Sequence, residues 1–587
     1  MLGDAFSTAG RNSNRRPAGI FAITALFLAL TQAVTSTSDA TNTVVDLGYA
    51  SYRGLLNETV PDVVSWLGVR YAQPPRRFRA PVPLDETPRV HNITDAQVYP
   101  PFCIQGYSSW VSPNDTGGGG SEDCLYVNIY APKGVTNTSA LPVLAYIHGG
   151  GYFAGNPRSW PFDNWVQRSP TPFIAVTIYY RLSIFGFLSA PEAPGKGIYA
   201  GKDPELILNA GIHDQRLALK FIQRHVRSFG GDPEKVTIMG QSAGAGAVGL
   251  HLTARSANPA ERLFRQAVVQ SWYRSPFSLP AARKEQWETV ANSVGCSTNS
   301  SAVAHTLECL RTVDAVRLMQ AADDGRRKYG GSLWMWLPVT DNVLFKSNPA
   351  RILKAIPGVN VIIGHTTADS ASGGTPFEAV VNATYPGLTS ADLETLNTMY
   401  TEAGIKEENM AAFGLGEAVF RCGTHFLANL YGSRAHTYRW DEPDPANPAS
   451  AGHSSDNYIL YEGARTLSNG TTEFHALTPA QRGLSDEAIA YFTSFYATAE
   501  PKVANTSSIN HPIWPAHPSG KRIVFRAEGG GTGEIQGTPG ASFIEELDKG
   551  EIERCKGTPG ASFIEELDKG EIERCKVWNS MVDRAGM

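Results

Sequence analysis

The sequence lacks the features that mark nucleic-acid-binding and membrane-spanning proteins. It has no long basic run, and 51 Lys and Arg residues against 56 Asp and Glu give a net charge of −5, so no nucleic-acid partner is expected. Apart from a short N-terminal segment, no apolar stretch approaches the roughly 20 residues that a membrane span needs. With 42% apolar and 18% charged residues, the composition is that of a globular protein. We therefore expect a folded protein that binds small neutral or anionic molecules.

The chain also lacks a Pro-rich or Ser-rich linker, which predicts a single domain over residues 34–587. At the N-terminus, Arg11, Arg15 and Arg16 precede an apolar run at residues 20–30. This run is too short to cross a bilayer, and small residues follow it up to Ala33, so residues 1–33 are predicted to be a cleaved signal peptide. An uncleaved membrane anchor is the alternative.

Asn-x-Ser/Thr triplets agree weakly with secretion, since such triplets also arise by chance. The eight triplets begin at Asn57, Asn92, Asn114, Asn137, Asn299, Asn382, Asn469 and Asn505.

Cysteine is scarce and odd in number, with seven residues, although secreted proteins normally pair their thiols. The segment GTPGASFIEELDKGEIERCK occurs twice without a difference, at residues 537–556 and 557–576. A structural repeat would have diverged, so the pattern indicates a recent duplication or a sequence-assembly error. Without one copy, six cysteines remain, which is enough for three disulfides.

Two of these disulfides are predicted to close local loops, and the third joins distant residues. Cys422 needs a C-terminal partner, and Cys575 is favoured over Cys555 because its helix continues into the apolar "VWN", whereas "GTPG" follows Cys555 and breaks a helix. A free thiol at Cys422 is the alternative. The predicted pairs are Cys103–Cys124, Cys296–Cys309 and Cys422–Cys575.

Short β-branched runs alternate with longer helical patterns along the chain. "LPVLAYIHGGG", "FIAVTIYYRL", "KVTIMG", "VNVIIGHTTAD" and "AHTYRWDE" read as strands, while "AGIHDQRLALKFIQRH" and "AGAGAVGLHL" read as helices. This alternation predicts an α/β fold with a mostly parallel central sheet, helices on both faces and long insertions. Ligands of such sheets bind beyond the carboxyl ends of the strands.

Ser242 is the candidate nucleophile because it lies between Gly240 and Gly244 in "VTIMGQSAGAG". A G-x-S-x-G pentapeptide alone is a weak signal in a glycine-rich chain. Here a predicted strand precedes it and a predicted helix follows, as a sharp turn that exposes a serine hydroxyl requires. A loop serine is the alternative.

A serine nucleophile needs a histidine base and an orienting carboxylate, in the chain order Ser, acid, His on this fold. Asp369 follows a predicted strand in a small-residue loop, with Asp341 and Glu378 as alternatives. His453 is favoured as base because it lies in the loop "ASAGHSSDNY" after a strand. The histidines that follow a plausible acid are His425, His436, His453, His475, His511 and His517.

A third element is "YIHGGGYFAG", in which three consecutive glycines follow His148. Glycines let backbone N–H groups turn into a cavity, where they can stabilise the oxyanion of a tetrahedral intermediate. A flexible turn without a catalytic role is the alternative.

Several long motifs, in order, resemble the type-B carboxylesterase/lipase family, the cholinesterase-like branch of the α/β-hydrolases that includes fungal extracellular lipases. They include "GVRYAQPP", "SEDCLYVNIY", "YYRLSIFGFLS", "NAGIHDQRLAL", "FGGDPEKVTIMGQSAGA", "GCSTNSSAVAHTLECLR" and "ERCKVWN". The resemblance implies a Ser242–His453–Asp369 triad, although relatives usually carry Glu at the position of Asp369. It also implies the three disulfides, and Gly150, Gly151 and Ala243 as oxyanion donors.

Departures from the family pattern bear on the substrate. Gln241 stands where cholinesterases carry Glu, and Trp110 is not at the offset of the choline-binding tryptophan, so choline esters are not expected. Trp272 replaces a common Gly and would narrow the pocket. Core packing is at least as good an explanation for Trp272 and for the other aromatic residues of the expected pocket. The residues expected to shape an apolar acyl site are Tyr152, Phe153, Trp272, Trp334 and Trp336, and Gln241 is expected in the substrate pocket.

These observations predict a secreted serine carboxylesterase or lipase that hydrolyses small-molecule or lipid esters through an acyl-enzyme, without a metal or cofactor. The alternative is a catalytically inactive relative that serves as a binding or adhesion protein. Such proteins typically lose the nucleophile or the histidine, and this chain has candidates for both. Acyl length, the alcohol and the oligomeric state are not predicted.

Overall fold

The structure, a computed structural model, describes most of the chain after residue 42. The described ranges are 43–87, 92–107, 117–190, 206–296, 303–328, 336–369, 374–444, 450–466, 472–504, 511–527, 543–546 and 561–581. The expected signal peptide, Trp110, Trp334 and four triplet asparagines (114, 299, 469 and 505) lie outside them. In the described part, no helix has the length and apolar character needed to cross a membrane.

Strands and helices alternate through the chain. The strands are β1 Val44–Asp46, β2 Ser51–Leu56, β3 Val63–Arg70, β4 Ile93–Ala96, β5 Tyr126–Pro132, β6 Leu141–Ile147, β7 Ile174–Ile178, β8 Gly231–Gln241, β9 Gln266–Gln270, β10 Asn360–Thr366, β11 Ala435–Trp440, β12 Ala464–Thr466, β13 Thr472–Phe474, β14 Lys521–Phe525 and β15 Phe543–Glu546. The helices are α1 Asp163–Arg168, α2 Ser183–Phe187, α3 Ala210–His225, α4 Ala243–Ala257, α5 Lys284–Ser293, α6 Val303–Thr312, α7 Ala315–Lys328, α8 Pro349–Ile352, α9 Phe377–Thr384, α10 Ser390–Glu402, α11 Glu407–Gly416, α12 Cys422–Tyr431, α13 Ser455–Leu460, α14 Pro479–Thr498 and α15 Ala561–Ser580.

Most strands form one large sheet in the order β1-β2-β3-β5-β7-β6-β8-β9-β10-β11-β14-β15, with β4 beside β2. From β7 to β14 every neighbouring pair is parallel. Antiparallel pairs are found toward both edges, such as β5 with β7 and β14 with β15. The structure thus confirms the predicted α/β fold with its mostly parallel sheet.

The central strands are buried on both faces, as their continuous apolar runs predict. In β6, Val143, Ala145 and Ile147 belong to one hydrophobic cluster, and Leu144 and Tyr146 belong to another. The first cluster contains residues of α3, α4 and α12, and the second contains residues of α1, α13 and α14. Helices therefore cover both faces and leave the carboxyl edge of the sheet for the polar loops.

The three predicted disulfides are present, and one of them ties the C-terminal helix α15 to α12 through Cys422 and Cys575. Two buried polar contacts reinforce this packing: Arg574 forms an ion pair with Glu417 at 2.6 Å, and His425 Nε2 lies 3.0 Å from Glu571 Oε1. Trp578 Nε1 also donates to the Tyr400 hydroxyl at 2.7 Å. The α15 helix therefore belongs to the core of the domain.

The two copies of the duplicated segment adopt different structures. The residues "FIEE" form strand β15 in the first copy, paired with β14, and the same four letters lie within helix α15 in the second. Because the two copies have the same sequence, their local helix and strand propensities are identical. Tertiary contacts therefore determine which structure each copy adopts. The second copy is followed by Trp578, whereas no tryptophan follows the first copy at the equivalent position.

Removing either copy gives the same sequence, because the repeat is exact and continuous. We expect the single copy to form α15, because the disulfide and the Glu417 ion pair hold the helix, whereas β15 is a short edge strand. The loss of β15 should change the free energy of unfolding by only about 0.5 kcal/mol. Thermal unfolding and disulfide mapping by mass spectrometry test this, and a free thiol at Cys422 would contradict it.

Candidate active site

Ser242 lies at the tight junction between β8 and α4. Its backbone has φ 58° and ψ −126°, an uncommon conformation for a residue other than glycine. Neither flanking glycine has space for a side chain: a Cβ on Gly240 would lie 2.4 Å from the carbonyl carbon of Gly244, and one on Gly244 would lie 2.0 Å from the Ile147 oxygen. This crowding explains why glycines stand two residues before and two residues after Ser242, as expected for a nucleophile on a tight strand-to-helix turn.

The structure brings Ser242, His453 and Asp369 together. His453 Nε2 lies 2.8 Å from Ser242 Oγ, and His453 Nδ1 lies 2.6 Å from Asp369 Oδ1. In the neutral imidazole, Nδ1–H therefore donates to the carboxylate and Nε2 accepts from the serine hydroxyl. The serine can thus transfer its proton to the histidine.

Backbone contacts between two loops place the acid beside the base. Ala368 pairs with Gly452 in a single parallel bridge, and Ala368 N–H donates to the Ala451 carbonyl at 2.9 Å. This bridge places the acid loop, which follows β10 and carries Asp369, next to the histidine loop, which follows β11 and carries His453. These loops are far apart in sequence and meet because β10 and β11 are neighbours.

Asp369 is buried, with 1% of its surface exposed. Burial opposes its ionisation, but the interaction with His453, which includes a hydrogen bond from Nδ1–H, outweighs that effect and holds the pKa of Asp369 below its ordinary value. The Thr366 N–H donates to its other oxygen at 3.1 Å. Asp369 is therefore a carboxylate at neutral pH and can orient His453.

The other candidate acids and histidines have different surroundings. Asp341 accepts three backbone N–H bonds within its own turn, and Glu378 is exposed on α9 beside Asn397. His425 contacts Glu571, and His511 contacts Glu487. These contacts indicate structural roles for these four residues.

The glycine loop after β6 lies beside the nucleophile. Gly150 and Gly151 have φ of 102° and 62°, and a Cβ on Gly150 would lie 2.1 Å from the Ala154 oxygen. The ring of His148 stacks on Tyr180, and burial lowers the pKa of His148 to about 4, so this histidine is neutral. Ala243 is the first residue of α4, where backbone N–H groups have no partner within the helix.

Two further residues near the triad, Phe420 and Asp456, have no counterpart among the sequence predictions. The Phe420 ring stacks on the His453 imidazole with centroids 4.4 Å apart. Phe420 lies on a π-helical turn, Glu417–Arg421, that joins α11 to α12. Asp456 is buried three residues after His453 and accepts from Gln270 Nε2 at 3.1 Å. No motif in the sequence could have identified either residue.

The expected pocket residues do not form one group. Tyr152 and Trp272 line a small cavity beside α4. Phe153 instead packs under the Arg326 guanidinium at 4.1 Å, and Trp336 is buried in the core. Gln241 is 3% exposed, and its Nε2 donates to Ser454 Oγ at 2.9 Å. The Gln241 side chain thus fastens the histidine loop next to the nucleophile.

Comparison with known proteins decides the family. A profile described as "Carboxylesterase family" matches residues 41–528, which is most of the chain. The chain belongs to the carboxylesterase family. The crystal structure of Aspergillus niger EstA matches with a TM-score of 0.73 and 25% identity, over 93% of this chain and 99% of that one, which agrees with the α/β-hydrolase fold.

Individual carboxylesterase relatives are matched over part of their length. Juvenile hormone esterase from Tribolium castaneum is 38% identical over 44% of this chain and 42% of that protein. Secreted lipase 4 from Gibberella zeae is 30% identical over 60% of this chain and 65% of that protein. The matched regions thus span less than two thirds of the length of either relative.

Phe420 is expected to hold the His453 imidazole in the orientation that accepts from Ser242. A ring stack of this kind contributes about 0.5–1.5 kcal/mol, so Phe420→Leu should lower kcat by up to about tenfold with little change in KM. Phe420→Tyr keeps the ring and should retain most of the activity. Steady-state kinetics of both variants measure the effect, and equal losses in the two variants would contradict it.

Asp456 should make the stability of the protein depend on pH. Burial and the negative charge of Asp369 raise the pKa of Asp456 to about 6, so its protonated form favours the fold and this stability is lost as pH rises from about 4 to 6. Asp456→Asn does not titrate. Relative to the wild type, its free energy of unfolding should increase by about 2 kcal/mol between pH 4 and pH 7. Urea unfolding at both pH values measures this, and a constant difference would contradict it.

Proposed function

We propose that the protein is a secreted carboxylic-ester hydrolase that works by serine acyl transfer. The observation that carries the proposal is the hydrogen-bonded chain from Ser242 through His453 to Asp369, with distances of 2.8 Å and 2.6 Å. Membership of the carboxylesterase family supports the same reaction class. An inactive binding protein would have no need of this connected, partly exposed arrangement.

The reaction begins when Ser242 Oγ attacks the ester carbonyl carbon and His453 Nε2 takes the hydroxyl proton. The carbonyl electron pair moves to oxygen, where the N–H groups of Gly150, Gly151 and Ala243 stabilise the negative charge. The carbonyl then re-forms, the C–O bond to the alcohol breaks, and the alcohol leaves with the proton from His453. Asp369 stabilises the imidazolium at Nδ1 throughout.

Water completes the cycle by the same steps. His453 takes a proton from the water molecule as its oxygen attacks the acyl-enzyme carbonyl. Collapse of the second tetrahedral intermediate breaks the bond to Ser242 Oγ, which regains its proton from His453. The products are one alcohol and one carboxylic acid. Because Gln241 is uncharged, no side chain next to Ser242 in sequence attracts a cationic alcohol.

Two assays test the proposed function on the purified full chain. A series of 4-nitrophenyl esters of increasing acyl length should be hydrolysed and should show which length is preferred. A fluorophosphonate reagent should abolish turnover and add its mass to the peptide that contains Ser242. An unlabelled Ser242 together with no ester turnover would favour the binding-protein alternative.

Secretion is part of the proposal and has separate support. The disulfides are typical of an oxidising compartment, and Asn92, Asn137 and Asn382 are exposed, as glycosylation requires. N-terminal sequencing of protein from culture medium should find a start close to residue 34. Digestion with an N-glycosidase should lower its mass. An intact N-terminus on a membrane-bound protein would instead support the anchor.

A further inference from the structure

Gln105 is a buried residue that takes no part in the proposed acyl transfer. It lies two residues after the disulfide-bonded Cys103, and only 6% of its surface is exposed. Its side-chain Oε1 accepts a hydrogen bond from the Gly155 N–H at 2.7 Å. The next residue, Gly106, donates its N–H to the Phe153 carbonyl, also at 2.7 Å. Residues 105–106 are therefore tied to the far end of the glycine loop that follows β6.

Gly155 connects Gln105 to the surroundings of the proposed nucleophile. Its φ is 104°, and a Cβ on Gly155 would lie 2.5 Å from the Gly149 oxygen, so the two ends of the glycine loop are in direct contact. A Cβ on Gly149 would in turn lie 3.0 Å from Ser242 Cβ. Two successive backbone contacts thus link the residue that Gln105 holds to Ser242.

Hydrogen bonds within the glycine loop fix the direction of one proposed oxyanion donor. The Gly150 carbonyl accepts from the N–H groups of Phe153 and Ala154 at 3.1 Å and 3.0 Å. In a trans peptide the carbonyl and the following N–H point in opposite directions, so the Gly151 N–H points away from these two residues. The hydrogen bonds from residues 105–106 hold the chain on both sides of Ala154. The direction of the Gly151 donor therefore depends on them.

The segment that carries Gln105 is itself anchored at two points. Cys103 is bonded to Cys124, and Tyr107 donates its N–H to Asp323 of α7 at 2.7 Å. Asp323 is buried, with 1% of its surface exposed. A side chain on an anchored segment can fix the position of a neighbouring loop, whereas one on a free segment would move with it.

We propose that Gln105 is a positioning residue for the oxyanion hole. Its side-chain oxygen holds Gly155, and with it the loop whose Gly150 and Gly151 N–H groups receive the negative charge of the intermediate. The inference rests on the proposed ester hydrolysis. One oxyanion donor is worth about 10²–10³ in kcat, and a displacement of about 1 Å can cost about 10²-fold. Loss of the Gln105 hydrogen bond should therefore affect the reaction rate.

The first experiment compares Gln105→Met, Gln481→Met and the wild type in hydrolysis of a 4-nitrophenyl ester. Methionine keeps the length of the side chain and places a methyl group where the acceptor oxygen was. Gln481 is the matched control, because it is 7% exposed and its Oε1 also accepts from a backbone N–H, that of Thr478. Thermal unfolding should show that both variants are folded.

We expect the kcat of Gln105→Met to fall about tenfold or more, and its KM to stay within about twofold because acylation and deacylation use the same donors. Gln481→Met should keep the kcat of the wild type. Gln105→Glu keeps an oxygen acceptor and should recover most of the kcat. An unchanged kcat in Gln105→Met, an equal loss in Gln481→Met, or no recovery in Gln105→Glu would overturn the proposal.

A trifluoromethyl ketone inhibitor gives a readout specific to the oxyanion. Ser242 Oγ adds to its carbonyl carbon while His453 takes the hydroxyl proton, and the carbonyl electron pair moves to oxygen, as in the tetrahedral intermediate. Its Ki should rise in Gln105→Met by the same factor by which kcat/KM falls. A Ki equal to that of the wild type would contradict a role in the oxyanion hole.

Amide hydrogen exchange separates this proposal from the proposed function. In the wild type the Gly155 N–H is bonded to Gln105, so a peptide that covers residues 148–155 should exchange about fivefold faster in Gln105→Met. If the wild type hydrolyses no ester but exchange differs in this way, the proposed hydrolysis fails and Gln105 still fixes the loop. If exchange is the same in both proteins, Gln105 does not hold the loop and the proposal is overturned.

Discussion

Ser242→Ala is expected to lower the kcat of ester hydrolysis by about 10⁶-fold, as for other enzymes with this serine mechanism. The substitution removes the atom that forms the acyl-enzyme and leaves His453 with no hydroxyl to deprotonate. The fold should be unaffected, because alanine at this φ is strained no more than serine and the crowding comes from Gly240 and Gly244. Hydrolysis of a 4-nitrophenyl ester measures the loss.

The matched control for this prediction is Ser256→Ala. Ser256 lies on the same helix, α4, and its hydroxyl donates to the Thr253 carbonyl rather than to the site. This variant should hydrolyse the ester like the wild type and unfold at a similar temperature. Turnover by Ser242→Ala within tenfold of the wild type would refute the nucleophile assignment, provided that contamination by wild-type protein is excluded.

Asp369→Asn should lower kcat by about 10⁴-fold. The amide is nearly the same size as the carboxylate, but it presents an N–H to His453 and favours the tautomer in which Nε2 carries the proton. That nitrogen then cannot accept from Ser242. KM should change little, because Asp369 is buried behind His453 and does not contact a bound ester.

Glu378→Gln is the control, since it makes the same chemical change in an exposed carboxylate of the next helix. It should leave kcat/KM unchanged. Asp341→Asn, the third candidate from the sequence, should instead lower stability, because Asp341 accepts hydrogen bonds from Val343, Leu344 and Phe345 within its turn. A large loss of kcat in Glu378→Gln with an active Asp369→Asn would transfer the acid role to Glu378.

Much of the fold could be predicted from the sequence because its signals are local. The strands β6, β7, β8, β10 and β11 are short apolar runs bounded by glycines or polar loops, and α3 and α4 follow from helical spacing. The position of Ser242 between two glycines is local in the same way. These predictions needed no knowledge of which strands are neighbours.

The rest depends on tertiary contacts. Asp369 could not be chosen over Asp341 and Glu378 without the family pattern, because the Ala368–Gly452 bridge that places it is visible only in the folded chain. The hydrogen bond from Gln241 Nε2 to Ser454 Oγ is likewise visible only in the folded chain, and Gln241 stays a predicted pocket residue. The contact of Phe420 with His453 depends on a π-helical turn that has no sequence signature.

The packing of α15 against α12 determines when, during synthesis and folding, the proposed active site becomes complete. Arg421, next to the Phe420 that packs on His453, lies 3.8 Å from Glu571 of α15 and also contacts the Thr367 carbonyl in the acid loop. All three proposed triad residues leave the ribosome before this helix is made. A nascent chain therefore holds every reacting atom of the proposed triad before α15 is present, so we expect activity to appear only after α15 has packed against α12 and Cys422 has been oxidised.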